Sequence, residues 1–135
     1  MTIYTKLLEV PANTTYYTAK VAELEIDEDV ITKIRVGFPV GCAYLVKVQI
    51  LYGLEVLAPG NEDEAIVGHG ETVEFKMFWK VPEKPCTIHI IAWNEDDTYD
   101  HKVKVEIEAL PYAVAFWYKA VGKFVSLFSR LIGLW

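Results

Sequence analysis

Apolar and polar residues alternate through most of the first 110 residues of the chain. The clearest segment is 102–109, where Val103, Val105 and Ile107 alternate with lysine and glutamate. A two-residue period places successive side chains on opposite faces of a strand, so this segment is predicted to be a half-buried β-strand. The same pattern predicts strands at about 33–38, 46–52, 73–80 and 88–93, and less regular strands at about 2–9, 15–26 and 54–58.

Turn-forming residues separate these predicted strands at regular intervals. Gly, Pro, Asn and Asp cluster at 26–29, 39–41, 59–61, 68–70, 82–85 and 94–100. Eight short strands with this spacing predict a mainly β fold, a single antiparallel β-sandwich with a jelly-roll-like arrangement. The alternation also predicts which residues share its core: Val36, Val48, Ile50, Phe75, Ile90, Val105 and Ile107.

The segment 111–135 has a different pattern from the rest of the chain. It contains no acidic residue, three basic residues and many large apolar side chains, and Pro111 suits the first turn of a helix. At about 100° per residue, a basic stripe forms on one side and apolar residues cover roughly two thirds of the circumference. The basic residues are Lys119, Lys123 and Arg130, and the predicted contact residues are Trp117, Val121, Phe124, Phe128, Leu131 and Trp135. The chain is therefore divided into a β-sandwich domain at 1–110 and a C-terminal amphipathic α-helix at 111–135.

Three partners for this helix are consistent with the sequence. It can pack on its own domain, bind other copies of the chain, or lie at an anionic membrane surface. A simple membrane span is disfavoured because Lys119 and Lys123 interrupt the apolar run. Burial against other copies is preferred, because a sandwich closes its core with its own two inner faces. The basic stripe would then face solvent or the acidic surface of an adjacent copy near Glu106 or Glu108.

The net charge of −6 conceals an uneven distribution. Residues 1–110 carry all 19 acidic residues and 10 of the 13 Lys and Arg, which gives −9, and the tail contributes +3. An acidic body argues against general nucleic-acid binding, which requires a basic surface. The scarcity of Gln, Asn and Ser beside many Glu and Lys resembles the composition of proteins from hot environments. The first ten residues lack the features of a secretory signal, so synthesis in the cytoplasm is expected, with a virion or particle as a candidate destination.

Sequence motifs for catalysis are not found. The three histidines have no Ser/His/Asp spacing around them, and the chain has no P-loop, GxGxxG or HExxH motif. The chain is therefore predicted not to be an enzyme and to need no organic cofactor. Cys42 and Cys86 do not form a CxxC pair, and the sequence leaves open whether they are free thiols or a disulfide.

Two acidic loops are the candidates for a metal site. If the strands run up and down, the loops at 39–43, 59–70 and 94–101 share one end of the sandwich, and the turn at 27–29 lies at the other end. The candidate calcium ligands in these loops are Glu62, Asp63, Asp96 and Asp97. Calcium takes six to eight oxygen ligands, often from such loops. Neither run matches an EF-hand, so ordinary solvated turns are the competing interpretation.

The strand-and-turn rhythm of residues 1–110 resembles that of small jelly-roll and sandwich subunits of virion coats, spikes and extracellular filaments. The resemblance is one of pattern, and no diagnostic motif carries it. The predicted function is a non-enzymatic structural subunit that self-assembles into a homo-oligomer, such as a virion or virus-like coat or a filament, with the C-terminal helix as the assembly element. The alternative is a peripheral membrane-associated or ligand-binding module whose helix lies at an anionic membrane surface.

Overall fold

The computed structural model of the chain describes residues 1–61 and 64–132. Within the helix it describes the side chains up to Leu127, apart from Tyr118. The strands are β1 (Thr2–Val10), β2 (Lys20–Ile26), β3 (Val30–Gly37), β4 (Val46–Tyr52), β5 (Glu55–Ala58), β6 (Thr72–Lys80), β7 (Cys86–Asn94) and β8 (His101–Leu110). The helix α1 (Tyr112–Ile132) follows them.

The strands form two antiparallel sheets of four strands each. Sheet A has the order β1-β8-β3-β6, and sheet B has the order β2-β7-β4-β5. The first strand pairs with the eighth, the second with the seventh, the third with the sixth and the fourth with the fifth. Such pairing describes a long hairpin wound into two stacked sheets, as in a jelly roll. The predicted antiparallel β-sandwich with a C-terminal helix is confirmed.

The core lies between the inner faces of the two sheets. Six of the seven predicted core residues are completely buried, namely Val36, Val48, Ile50, Ile90, Val105 and Ile107. Phe75 is half-buried on β6, at the edge of sheet A, and packs against the same cluster. The alternation of apolar residues therefore identified the inner faces of both sheets.

The strand predicted at about 15–26 begins later in the structure. Residues Tyr16–Thr18 form a single turn of 3-10 helix before β2. The backbone N–H of Thr15 donates to Oγ1 of Thr18 at 2.8 Å, which closes this turn. The Tyr16 ring then meets Trp93 of β7 edge-on, with 5.4 Å between the ring centroids. Tyr16 thus docks the turn on sheet B, whereas Tyr17 is 93% exposed.

Connections between successive strands alternate between the two ends of the sandwich. The loops β1–β2, β3–β4, β5–β6 and β7–β8 gather at one end, which we call the loop end. There the N–H of Tyr44 donates to the carbonyl of Gly68 at 3.2 Å, and that of Glu95 donates to the carbonyl of Leu45 at 2.9 Å. The prediction that the loops at 39–43, 59–70 and 94–101 share one end is confirmed.

The opposite end, which we call the helix end, carries the turn at 27–29 and the start of α1. The N–H of Val81, in the β6–β7 connection, donates to the carbonyl of Asp29 at 2.8 Å. This contact places the 27–29 turn away from the other acidic loops, as predicted.

The two cysteines are free and buried, at opposite ends of the sandwich. Cys42 lies in the β3–β4 loop at the loop end, and Cys86 begins β7 at the helix end. A strand as long as β7 spans more than about 20 Å, whereas a disulfide requires Cα atoms within about 7 Å. Burial is the main cause of a raised pKa in both thiols. The sequence left this pairing open, and the topology excludes it within one chain.

The core residue Ile90 provides a test of this packing. Its side chain is completely buried on β7, the strand that pairs with both β2 and β4. We expect Ile90→Ala to lower the free energy of unfolding by about 2–5 kcal/mol, because it removes buried methylene groups and leaves a cavity. The matched control is Ile3→Ala on edge strand β1, where the side chain is 46% exposed and the expected change is within about 0.5 kcal/mol. Equal effects of the two substitutions in chemical denaturation would contradict this assignment of the core.

Candidate functional site

An acidic side chain from the sandwich fixes the start of α1. The Asp29 carboxylate accepts a hydrogen bond from the backbone N–H of Tyr112 at 2.9 Å and forms an ion pair with the ammonium group of Lys84. Negative charge is favoured at a helix N-terminus, where backbone N–H groups lack partners within the helix. Lys84 chiefly, and then the Tyr112 N–H, hold the pKa of Asp29 below its usual value. Pro111 immediately precedes the helix and accepts its first hydrogen bond, from Ala115 at 3.0 Å.

The base of the helix packs on the sandwich through one small residue. Ala115 is 2% exposed and lies in a small cluster with Val30, Leu110 and the half-buried Phe78. One turn later, Nζ of Lys119 lies 4.6 Å from the centre of the Phe78 ring, a cation–π contact. Residues four apart share one face of a helix, so Ala115 and Lys119 mark the side of α1 that faces its own sandwich.

In the described part of the helix, only the base contacts its own domain, through Ala115 and Lys119, and every residue from 121 to 127 is exposed. Counting about 100° per residue from Ala115, Lys119 and Ser126 lie within about 40° of the sandwich-facing direction. Trp117 and Phe124 lie within about 20° of the opposite direction. A surface helix ordinarily buries its apolar face and exposes its polar face. At its base, α1 instead packs through Ala115 and Lys119 and leaves Trp117 exposed, so its large apolar side chains are not buried on its own domain.

The apolar side of α1 is exposed. Trp117 is 67% exposed and Phe124 is 68% exposed, and every residue from 121 to 127 falls in the exposed class. Among the side chains that the structure describes after Tyr112, the large apolar ones that are exposed are Val114, Phe116, Trp117, Val121, Phe124, Val125 and Leu127. Such a continuous set is unlike the scattered apolar residues of an ordinary monomer surface. We call these seven residues the apolar surface of α1.

The structure describes the side chains of three of the six predicted contact residues of the helix. Trp117, Val121 and Phe124 belong to the apolar surface of α1. The side chains of Phe128, Arg130 and Leu131, and Trp135 as a whole, lie outside the described residues. In the part of the chain that the structure describes, no helix is both long and apolar enough to cross a membrane.

The outer face of sheet A is occupied by a network of ion pairs. Arg35 on β3 lies between Glu74 of β6, at 3.6 Å, and Glu106 of β8, at 3.2 Å. Lys33 similarly lies between Glu74, at 3.7 Å, and Glu108, at 3.8 Å. Glu106 and Glu108, considered above as partners for the basic stripe of an adjacent copy, therefore pair with cations of their own sheet. Lys104 first, and Arg35 as well, lower the pKa of Glu106.

The outer face of sheet B has a concave region that sequence reasoning missed. Its volume is about 490 Å³, and its lining residues are Tyr16, Lys47, Gln49, Glu64, Ala65, Val67, Trp93 and Glu95. Gln49 is 6% exposed, since the β5–β6 loop covers it and the carbonyl of Glu64 accepts its Nε2–H at 2.8 Å. The mixture of aromatic and charged residues arises from four separate segments, so no local motif could have indicated it.

At the loop end, the carboxylate of Asp96 is engaged within its own loop. Its Oδ2 lies 2.9 Å from Nε2 of His101, and its Oδ1 accepts the N–H groups of Thr98 at 2.9 Å and Tyr99 at 3.3 Å. Oδ1 of Asp97 accepts a hydrogen bond from Oγ1 of Thr98 at 2.9 Å. These contacts indicate that the loop is ordered by its own hydrogen bonds.

The calcium hypothesis stays a prediction. Among the described residues, no three His, Cys, Asp or Glu side chains are grouped so that they could hold a metal ion. Glu62 and Asp63, two of the four predicted ligands, lie outside the described residues.

The other two histidines also have structural contacts. Nδ1 of His69 accepts the backbone N–H groups of Gly41 at 3.3 Å and Ala43 at 3.1 Å, which joins the β5–β6 loop to the β3–β4 loop. Nε2 of His89, on the outer face of sheet B, lies 3.3 Å from a carboxylate oxygen of Glu23 on β2.

The pH dependence of stability should report the Asp96–His101 contact. His101 first, and then the Thr98 N–H, lower the pKa of Asp96 below its usual value. Because the folded state has the lower pKa, this stabilisation is present at neutral pH and is lost as the pH falls through the depressed pKa, below about pH 4. We expect Asp96→Asn to be less stable than the parent at pH 7, with a difference that narrows towards pH 2 in denaturant titrations. Asp97→Asn is the control, and a constant difference between parent and Asp96→Asn across this range would contradict the assignment.

Comparisons with known proteins place the chain in no established family. No protein-family description matches the chain, and no curated protein matches it. Among solved structures, one that it resembles is described as "Bacillus endospore appendages form a novel family of disulfide-linked pili", at 14% identity and a TM-score of 0.42. The match covers 82% of this chain and 86% of that chain. A likeness this distant carries no functional conclusion, which has to come from the chain's own surfaces.

Proposed function

We propose that the protein is a non-enzymatic structural subunit that assembles into a homo-oligomer through the apolar surface of α1. The observation that supports this proposal is the exposure of that surface, because the described part of α1 contacts its own sandwich only at its base and its seven large apolar side chains stay more than half exposed. The sandwich core is closed by the two sheets and gains nothing from that surface. A second copy of the same chain provides a surface that can cover it.

The exposed apolar area is comparable with what association requires. Full burial of one large apolar side chain contributes about 1.5–3 kcal/mol, and the seven side chains of the apolar surface of α1 are between 51% and 68% exposed. Burial of all seven would therefore contribute roughly 6–12 kcal/mol, against roughly 4–15 kcal/mol for the lost freedom of association. A contact that buries the whole of this surface is thus of the size that subunit association needs.

The body of the subunit suits a coat or filament. The outer face of sheet A is charged and internally paired, as expected of a face that stays in water. The helix, by contrast, offers an extended contact element about 30 Å long. We propose a virion coat, a virus-like particle or a filament as the setting, with the sandwich as the rigid unit and α1 as the connector.

Binding to a membrane surface is the second candidate, because the outward apolar surface of α1 would also fit the headgroup region of a bilayer. Trp117 is the type of residue that favours this boundary. The distribution of charge opposes it, because the sandwich side of the molecule carries −9, from 19 acidic and 10 basic residues in 1–110. Anionic lipid would repel that body within a Debye length of the surface.

The double substitution Val121→Asp with Phe124→Asp tests the proposal. Both side chains are exposed in the single chain, so the variant should keep its β-sandwich and its melting transition. We expect a smaller species in light scattering, with a dissociation constant raised roughly 10²–10⁴-fold, because two buried apolar contacts are lost. The matched control is Ser126→Asp, which adds the same residue to the opposite side of the same helix and should leave the assembly size unchanged.

Two outcomes would overturn the proposal. If the double variant retains the full assembly size, α1 is not the assembly element, and if it unfolds, α1 belongs to the core of its own domain. A flotation experiment with vesicles of phosphatidylcholine and phosphatidylserine separates the second candidate. We expect the parent protein to stay in the dense bottom fraction, apart from the vesicles. If it floats with the vesicles and high salt releases it, membrane binding is favoured.

A further inference from the structure

The outer face of sheet B carries an apolar strip that the sandwich leaves uncovered. Val21 on β2 lies opposite Ile91 on β7 in the strand register, and Trp93 is the next outward residue on β7. The ring of Tyr16 extends this strip by packing edge-on against Trp93. Val21 is 56% exposed and Tyr16 is 52% exposed, whereas Ile91 and Trp93 are half-buried. We call these four residues the sheet B strip.

Acidic side chains surround the sheet B strip. Glu23 and Glu25 extend outward from β2, and Glu64 and Glu95 lie beside Trp93 in the concave region described above. Glu23 pairs with His89 at 3.3 Å, and Glu95 pairs with Lys47 at 3.3 Å. Glu25 and Glu64 have no ion pair within the described residues, so their charges remain available to a partner.

The helix α1 has the complementary chemistry. It has no acidic residue, and Lys123 lies about 80° from Ala115 around the helix, at the border of the apolar surface. A long lysine side chain at that border can cover apolar contacts while its ammonium group reaches a carboxylate at the rim. Apolar residues flanked by positive charge thus match an apolar strip flanked by negative charge.

We propose that the sheet B strip receives α1 of a neighbouring copy of this chain. The apolar surface of α1 would cover Val21, Ile91 and Trp93, and Lys123 would approach the free carboxylate of Glu25 or Glu64. This inference rests on the proposed function and specifies which surface of the partner the helix meets. The helix of one copy is the binding element, and the sheet B strip of the next copy is its binding site.

The position of the two surfaces determines the kind of assembly. The base of α1 packs beside Val30 and Phe78 on the outer side of sheet A, whereas the sheet B strip is on the opposite face of the sandwich. The contact therefore joins two different surfaces of two copies. Each copy in contact through its helix still offers a free strip, and this heterologous contact repeats to give a ring or a filament instead of a two-fold dimer.

Two full-length variants with complementary defects test this arrangement. The strip variant combines Val21→Lys with Glu25→Lys, which places positive charge at two exposed positions facing the incoming lysine. The tail variant is Val121→Asp with Phe124→Asp. A matched control, Leu7→Lys, alters a side chain that is 63% exposed on edge strand β1 of sheet A. Melting curves check that each variant is folded, and Glu25→Lys alone serves as a milder strip variant.

We expect each defective variant to be small by itself, with a dissociation constant at least about tenfold higher than that of the parent. Mixed together, the two variants should form a 1:1 complex in light scattering, because the intact helix of the strip variant meets the intact strip of the tail variant. The Leu7→Lys control should assemble like the parent.

The outcomes separate this inference from the proposed function. If the strip variants assemble like the parent while the tail variant does not, helices pair with one another, and only the strip assignment is wrong. Failure of the mixture to form the 1:1 complex also overturns the strip assignment. If the tail variant assembles like the parent, the proposed function is wrong as well.

Discussion

Burial of the two inner sheet faces against each other is the interaction on which the other features depend. Ile34, Ile50, Ile90 and Ile107 are completely buried between the sheets, so the core is closed without any contribution from α1. The apolar surface of α1 can therefore stay exposed, because the core does not need the helix.

The attachment of α1 is small but specific in direction. Asp29 receives the first N–H of the helix, and Ala115 allows close approach over Val30. A larger residue at 115 would hold the helix away from the sheet. Because the contact is made through Ala115 and Lys119, the opposite side of the helix base, which carries Trp117, is left exposed. A few contacts at the base thereby set the orientation of the entire apolar surface.

The two outer faces of the sandwich differ in chemistry. Sheet A has Arg35 between two glutamates, which satisfies its charges in place. Sheet B has Val21 and Trp93 within an acidic rim, where Glu25 has no cation among the described residues. The ion-paired face suits contact with water, and the apolar face suits contact with a basic, apolar helix. The sandwich therefore has two chemically distinct faces, as the proposed repeating contact requires.

The sequence by itself determined the strand pattern, the inner residues and the amphipathic helix, because burial on one face of a strand or helix imposes a period that is visible locally. Val48 and Val105 were assigned correctly for this reason, as was the shared end of three loops. The helix pattern also predicted which residues are apolar, but not which side of α1 would face the sandwich. That orientation depends on Ala115 meeting Phe78 and Asp29 meeting Tyr112, contacts between residues far apart in the chain. The sheet B strip and the separation of Cys42 from Cys86 were likewise decided only by tertiary structure, because strand order brings distant segments together and no local period records it.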